Sequence, residues 1–421
     1  MSNLDQPALG PADAEGTWLN DPQHRRFLQH EARAQLNFFR ASLGPNGWIK
    51  TLDWTGAPRP DTTQELHTIT RLVHSYALGE KAGYTAGAPL IDAGIQGLRT
   101  RHRDDLHGGY FWAVSPDGPV DDIKLAYGHV FVMLAAASAK SVGHPDADRL
   151  LEDVWDVLDS RYWDEEAGLF RDEYARDWTP ISRYRGMNAN MHAIEAMLTA
   201  YEATGESVFL QRAGRILDFF INRIASHHGW RLPEHYTEAW EVDPHYAGNP
   251  MFRPAGTTPG HSLELGRLLI QHWDLSGRPT PEAPIRARHL IEQALSDAWR
   301  EDGGFVYTLD IEGRPAIRDR YWWPVSEGIG AMAALIKLEA RASDEEWYRR
   351  LWNYAAAHFI DASRGGWFPE IDEAGAPCER QFLGKPDIYH SLQAALFPLV
   401  PRLSRIAEGL ESDSAAETSN L

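Results

Sequence analysis

A glycine followed by an aromatic or apolar residue returns six times along this chain, and that recurrence limits the fold more than any other feature. The copies are Asn46-Gly47-Trp48, Gly108-Gly109-Tyr110-Phe111, Ala167-Gly168-Leu169-Phe170, His228-Gly229-Trp230, Gly303-Gly304-Phe305 and Gly365-Gly366-Trp367. Counted from Gly47 through Gly109, Gly168, Gly229 and Gly304 to Gly366, the intervals are 62, 59, 61, 75 and 62 residues, a period of about 60 with one longer unit. Several copies run on into a turn, as in Val114-Ser115-Pro116-Asp117-Gly118, Leu309-Asp310-Ile311-Glu312-Gly313 and Ile371-Asp372-Glu373-Ala374-Gly375, and read as short hairpins.

Between the hairpins the apolar spacing changes to the helical period, and each interval holds two helices. The predicted helices cover 21–43, 63–81 with 84–103, 123–140 with 146–160, 188–204 with 206–225, 259–276 with 281–300, 323–340 with 344–360, and 386–404. Gly79, Gly143, Gly205 and Gly277 fall near helix ends, where a left-handed C-terminal cap favours glycine. Six pairs bury their apolar faces jointly if they close into a double ring. The expectation is therefore an all-α (α/α)6 barrel with short β-hairpins in the inter-helix loops, one domain over 1–421 with flexible ends at 1–20 and 406–421. An open solenoid would need polar capping units, whereas here the single helix at each end of the chain can close the circle as a pair.

Composition narrows the partners. Lys plus Arg is 41 and Asp plus Glu is 60, for a net charge of −19, a field that repels phosphodiester backbones and anionic membrane surfaces. Nucleic acid and membrane are thus not expected as partners. No run of about 18 apolar residues occurs and residues 1–20 hold no apolar stretch, so the expected location is the cytoplasm. The single cysteine, Cys378, excludes an internal disulfide and a thiolate metal cluster. Sixteen tryptophans and 18 histidines suit a small polar substrate that stacks on indoles and exchanges protons near neutrality. The expected partner is a monosaccharide, bound by a monomer or homodimer.

In such a ring the inner helices run in one direction, so polar groups at their N-terminal ends gather at one mouth. Four segments open inner helices with residues an apolar core would not choose: Asn188 to Glu195, Thr257 to Glu264, Trp322 to Glu327, and Lys385 to His390. Asn188, His192 and Glu195 share one helix face, as do His261 and Glu264. A histidine at a helix start is commonly a cap or a satisfied core residue, but three on three separate repeats weaken that reading. Glu264 and Glu327 serve equally as acids of a first helical turn, and Trp322 and Trp323 as ring core. Arg71 interrupts an apolar stretch and offers donors to substrate oxygens; His67 and His74 rank behind it. No His-x-x-x-His or His-Glu-x-x-His spacing supports zinc, and neither a P-loop, a Gly-x-Gly-x-x-Gly nor a Gly-x-Ser-x-Gly is present. No metal or other cofactor is expected.

Gly186-Met187-Asn188-Ala189-Asn190-Met191-His192, Thr258-Pro259-Gly260-His261-x-x-Glu264 and Asp387-Ile388-Tyr389-His390 resemble signature stretches of the N-acylglucosamine 2-epimerase superfamily, particularly its aldose-ketose isomerases acting on mannose or sulfoquinovose. The likeness runs from about Phe27 to Pro401 in the same motif order. The resemblance implies an (α/α)6 barrel without metal or nucleotide. It assigns proton transfer to His261 and His390, and sugar binding to Arg71, Tyr127, Asn188, His192 and Glu264, with Glu327 supporting the pocket; Trp323 and Asp387 complete the candidate set. Pro386 stands where sulfoquinovose isomerases have glutamine, and Met251 where they have a further arginine, which favours mannose over a sulfonated sugar. The implied reaction interconverts D-mannose and D-fructose, and D-lyxose with D-xylulose, through a cis-enediol: one histidine, His390 by the family pattern, takes the C2 proton and His261 helps return one at C1. The alternatives are 2-epimerisation of glucose with mannose, sulfoquinovose isomerisation, a glycoside hydrolase with two opposed acids about 5–9.5 Å apart, and a non-catalytic sugar-binding protein.

Overall fold

All six repeat glycines lie in the left-handed region, with φ between 61° and 79°. That explains their recurrence: a side chain there would strain the tight turn. In the computed structural model, which describes residues 7–11, 16–246, 248–249, 252–385 and 387–418, each such turn follows an outer helix. A second hairpin or extended pair then leads into an inner helix.

The inner helices are α2 (Leu66–Lys81), α4 (Ala126–Ser141), α6 (Met187–Thr204), α8 (Pro259–Leu275), α10 (Trp322–Leu338) and α12 (Tyr389–Leu396). Their outer partners are α1 (Pro22–Phe39), α3 (Ala88–Gly97), α5 (Ala147–Val157), α7 (Ser207–Leu217), α9 (Glu282–Ala298) and α11 (Ala342–His358). Each inner helix packs on the next and α12 returns to α2, while α1, first in sequence, covers α12. The ring is closed, and the terminal helices pair as the sequence pattern requires.

Hydrophobic patterning follows position. In α10 every residue from Trp322 to Ile336 is buried, and in α4 every residue from Gly128 to Ala139. These helices are covered on all sides, so they need no polar stripe. The outer helix α5 buries only Ala147, Leu150, Leu151 and Val154, one helical face.

Several boundaries differ from expectation. The outer helices α3, α5 and α7 end in π-type turns, Leu98–His102, Leu158–Tyr162 and Asp218–Ile224, which widen the last turn as the chain enters the glycine hairpin. The helix expected over 386–404 is shorter, running from Tyr389 to Leu396 before a 3-10 turn at Phe397–Leu399, because Pro398 and Pro401 cannot continue it. Gly79 is not a cap. It lies inside α2, where a Cβ would come within 2.9 Å of the Leu36 side chain, and Gly83 takes the left-handed position instead. The polar tail expected to fray forms a thirteenth helix, α13 (Ile406–Thr418), held by buried Leu410 and the pairs Arg25–Asp413 and Lys81–Glu411. Near the other end, Trp18 and Leu19 are buried and the Trp18 N–H donates to Glu345.

Candidate functional site

Because every inner helix starts at the hairpin end of the ring, the first turns of α2, α4, α6, α8, α10 and α12 converge there. His261 is the third residue of α8 and His390 the second of α12, with Trp323, second in α10, between them. Its ring centroid lies 5.1 Å from His261 and 5.7 Å from His390. That sandwich needs Gly260, since a Cβ there would stand 2.2 Å from the Trp323 ring.

Each histidine is turned by a carboxylate. His390 Nδ1 donates to Glu327 Oε1 at 2.7 Å, and His261 Nδ1 donates to Glu234 Oε1 at 2.8 Å. A carboxylate only accepts, so it keeps a proton on Nδ1 and leaves Nε2 as the atom that takes up or releases the exchanged proton. Among the described residues neither Nε2 has a protein hydrogen-bond partner. The arrangement is one of two imidazoles prepared for proton transfer on a shared space, each held by its own acid.

His192, on α6, is buried against Phe131 and Tyr127, with ring centroids 4.7 and 5.4 Å away. Burial pushes its pKa well below the usual range, and Arg71 adds to the effect, so it is a neutral ring. Its Nδ1 stands 3.6 Å from Glu264 Oε1, beyond hydrogen-bonding distance. Arg71 Nη1 donates to Asp387 at 2.8 Å and Nη2 to the Tyr127 hydroxyl at 2.7 Å, and its guanidinium lies over the Phe131 and Tyr389 rings. Arg71, Tyr127 and Asp387 thus form one unit on the α2–α12 side of the mouth. Asn188 is the second residue of α6, one turn before His192.

The floor beneath the histidines is charged. Arg267 Nη2 lies 3.2 Å from Glu327 Oε2 and 3.9 Å from Glu264 Oε1, and Glu195 accepts from the Tyr389 hydroxyl and from Gln393. Burial alone would raise Glu327, but Arg267 and His390 outweigh it and hold it below the usual carboxylate range. Glu264 goes the other way. Burial, then the charges of Glu327 and Glu195, push it well above that range, which favours the protonated form, a hydrogen-bond donor. Buried polar atoms left without a protein partner cluster in this neighbourhood: both Glu264 oxygens, His192 Nδ1, Asn188 Oδ1 and Arg71 Nε. Such atoms cost about 1–3 kcal/mol each unless a ligand or water meets them, and together they suit a polyhydroxylated molecule.

Two donor triplets, His192–Glu195–Glu264 and Glu264–Glu327–His390, bring ligand atoms within 4.8 Å of one another. The Arg267 guanidinium already lies among these carboxylates and offsets their charge. The donor set therefore fits a built-in organic cation better than a divalent metal. A cavity of about 330 Å³ lies on the other side of this floor, lined by His74, Glu202, Gln271 and α13 and sharing only Glu195 and Arg267 with the cluster; it faces away from the free imidazole nitrogens and is not the mouth.

Of the candidate site residues, His261, His390, Arg71, Tyr127, His192, Glu264, Trp323, Glu327 and Asp387 are joined by the contacts above, and Asn188 stands one helical turn before His192 on α6. Met251 and Pro386 lie outside the described residues. His67 stacks on Trp112 at 5.2 Å near the Arg71 side. His74 is a core residue bonded to Ser138 and Gln393. Sequence reasoning missed two residues. Arg267 carries a helical signal, lying three residues after Glu264 and facing the same way. Glu234 carries none, since it stands in an aperiodic loop.

Residues 47–394 match the model of the family described as N-acylglucosamine 2-epimerase (GlcNAc 2-epimerase). The chain is 40% identical to a D-mannose isomerase of Thermobifida fusca over 402 residues, 93% of this chain and 98% of the relative. It is 37% identical to a D-mannose isomerase of Pseudomonas cannabina pv. alisalensis over 404 residues, covering 94% and 97%. A crystal structure of a D-mannose isomerase superposes with a TM-score of 0.81 at 30% identity, covering 89% of this chain and 97% of that one. With the closed ring, the paired histidines and these likenesses in agreement, the chain belongs to the N-acylglucosamine 2-epimerase family.

Proposed function

We propose that the protein is an aldose-ketose isomerase that interconverts D-mannose and D-fructose. The observation that carries this reading is the pair of carboxylate-held imidazoles, His261 and His390, flanking Trp323 with their Nε2 atoms free. Likeness to proteins named D-mannose isomerase over nearly the whole chain supplies the sugar. D-Lyxose, which shares the configuration at C2 and C3, is a further substrate of the same chemistry.

The open-chain aldose carries an acidic proton at C2 beside the C1 carbonyl. His390 Nε2 removes it, and the electron pair forms the C1–C2 double bond while the C1 oxygen takes a proton from His261. The resulting cis-enediol then loses its O2 proton to His261, and His390 returns a proton to C1, giving the ketose. Arg71, His192 and protonated Glu264 are donors for the oxygens on which charge develops. A positioned acid or base supplies about 10²–10⁴ in rate, and preorganised donors supply much of the rest.

The test is incubation of the chelator-treated protein with D-mannose in deuterated water, with D-glucose and sulfoquinovose in parallel. Fructose carrying solvent deuterium at C1 is the expected product. H261A and H390A should each lower turnover by at least about 10²-fold with the helical circular dichroism unchanged. Accumulation of glucose from mannose without fructose would replace isomerisation by epimerisation, and near-native turnover in either variant would remove the role given to that histidine.

A further inference from the structure

The two histidine–carboxylate pairs look alike but differ in what stands behind the carboxylate. Glu327 shares its charge: Oε1 accepts from His390 while Oε2 faces the Arg267 guanidinium at 3.2 Å. Glu234 holds His261 at 2.8 Å, and among the described residues no lysine or arginine nitrogen lies within 4 Å of it. Its charge acts on Tyr184, Tyr236 and Tyr307, whose phenols are pushed up first by burial, and on His235, which burial lowers. Arg253, on the same side, is engaged with Glu173 at 2.6 Å.

Around His390 the surroundings are crowded. Tyr389, Trp322 and Trp323 enclose it, carboxylate oxygens of Glu264 and Glu327 lie within 4.8 Å of a ring nitrogen, and Arg267 stands against Glu327. Around His261 stand Glu234, Trp323 and, one helical turn on, Glu264; both histidines act on His192. The His261 side chain is 14% exposed and that of His390 6%, so a positive charge on His261 is better hydrated. A cation behind one carboxylate and none behind the other makes the two imidazoles unequal by simple Coulomb reasoning.

We propose that Glu234 is a positioning residue for the isomerisation: it turns His261 Nε2 toward the mouth and, having no cation of its own, makes His261 the partner that enters the reaction carrying the proton, while Glu327, shared with Arg267, leaves His390 uncharged. This rests on the isomerase reading for its chemistry, since an enediol route needs one protonated and one neutral group at the same moment. The loop bearing Glu234 is tied to the barrel by backbone bonds on both sides, Met187 N–H donating to the Glu234 carbonyl and Glu234 N–H to the Gly256 carbonyl, so the carboxylate is held in place independently of α8.

The experiment is a histidine titration followed by ¹⁵N and ¹H NMR on the selectively labelled full chain, with His261 and His390 assigned from H261Q and H390Q. In the wild type His261 should lose its proton at a higher pH than His390. In E234Q the His261 midpoint should fall by about one pH unit or more, as for a lost charge partner, and that of His390 should stay. The alkaline limb of the kcat/KM profile for mannose should move down with it, kcat should fall roughly tenfold to a hundredfold, and KM should change little; E234D should recover part of the loss. His390 titrating above His261, or an E234Q that loses activity with an unmoved His261 midpoint, would overturn the proposal. Absence of fructose formation by the wild type would sink the isomerase reading and leave the titration result standing by itself.

Discussion

Two glutamates one helix apart illustrate how position alone sets protonation. Glu264 on α8 and Glu327 on α10 are both buried beside Arg267, yet Glu327 receives the guanidinium and His390, while Glu264 receives mostly the repulsion of its neighbours. Substitution by glutamine should therefore separate them. E264Q keeps a neutral side chain of the same size, and its kcat/KM for mannose should stay within about tenfold of wild type. E327Q strips Arg267 of its partner and frees the His390 ring, and breaking such a buried pair costs about 3–5 kcal/mol; kcat should fall by at least about 10² and the melting temperature should drop. Steady-state kinetics beside thermal denaturation of both variants checks this, and equal losses would show that Glu264 is also ionised. The same residues show what a sequence discloses. His261 and His390 are legible because polar side chains opening otherwise apolar helices are expensive unless used. Glu234 is invisible because it lies 27 residues from the histidine it holds, on a loop whose course only the closed ring determines.

Between elements, a device used twice fixes where α4 and α12 begin. Lys124, just before α4, donates to Asp104 at 3.0 Å and to the Gly108 carbonyl at 2.8 Å; Lys385, shortly before α12, donates to Asp361 at 2.8 Å and to the Gly365 carbonyl at 2.7 Å. Both lysines thread under the glycine turn of their repeat, which is why the turn and the helix start stay in register although lysine and glycine are 16 and 20 residues apart. Asp172 does similar work between α4 and α6: its carbonyl accepts from Ala126 N–H and its carboxyl from Gly186 N–H. Burial pushes this acid up to about 8. An acid raised in the folded state stabilises most below its unfolded pKa and loses that contribution as pH rises toward its folded one, here between about 4 and about 8. D172N should remove this slope. Measured by denaturant melts at a series of pH values, its stability relative to wild type should improve with rising pH by up to about 1.4 kcal/mol per unit within that window; a constant difference would mean that Asp172 is ionised in the fold. None of these contacts is periodic, so the helix boundaries they set are where sequence and structure part, as at the shortened α12 and the capless Gly79.

On the scale of the whole molecule, the period of about 60 residues announces six units, but only the contacts between the first and last show that they form a circle. Phe27 and His24 of α1 pack on Trp352 of α11, with ring centroids 5.3 and 5.9 Å apart. The His24 ring is also bonded to the Tyr348 hydroxyl at 2.9 Å, and Trp367 Nε1–H donates to Glu31 at 2.8 Å. These contacts join residues more than 300 positions apart, and they are legible only as the inference that two unpaired terminal helices must meet. The tail beyond 406 was not legible as structure at all, because α13 is mostly polar and its anchors, Arg25 and Lys81, lie far away in sequence. Closure has a thermodynamic signature. In an open stack the terminal unit contacts one neighbour and unfolds separately from the rest, whereas in a closed ring no unit is terminal. F27A, which removes a wholly buried ring at the seam, should cost about 3–5 kcal/mol and lower the midpoint of a single cooperative transition. Far-UV circular dichroism and tryptophan fluorescence should report the same midpoint in denaturant, with the wild-type slope. An early, separate transition in F27A, with the remaining helices unfolding at the wild-type midpoint, would mean that the ends of the chain merely rest against each other and that the six units behave as an open array.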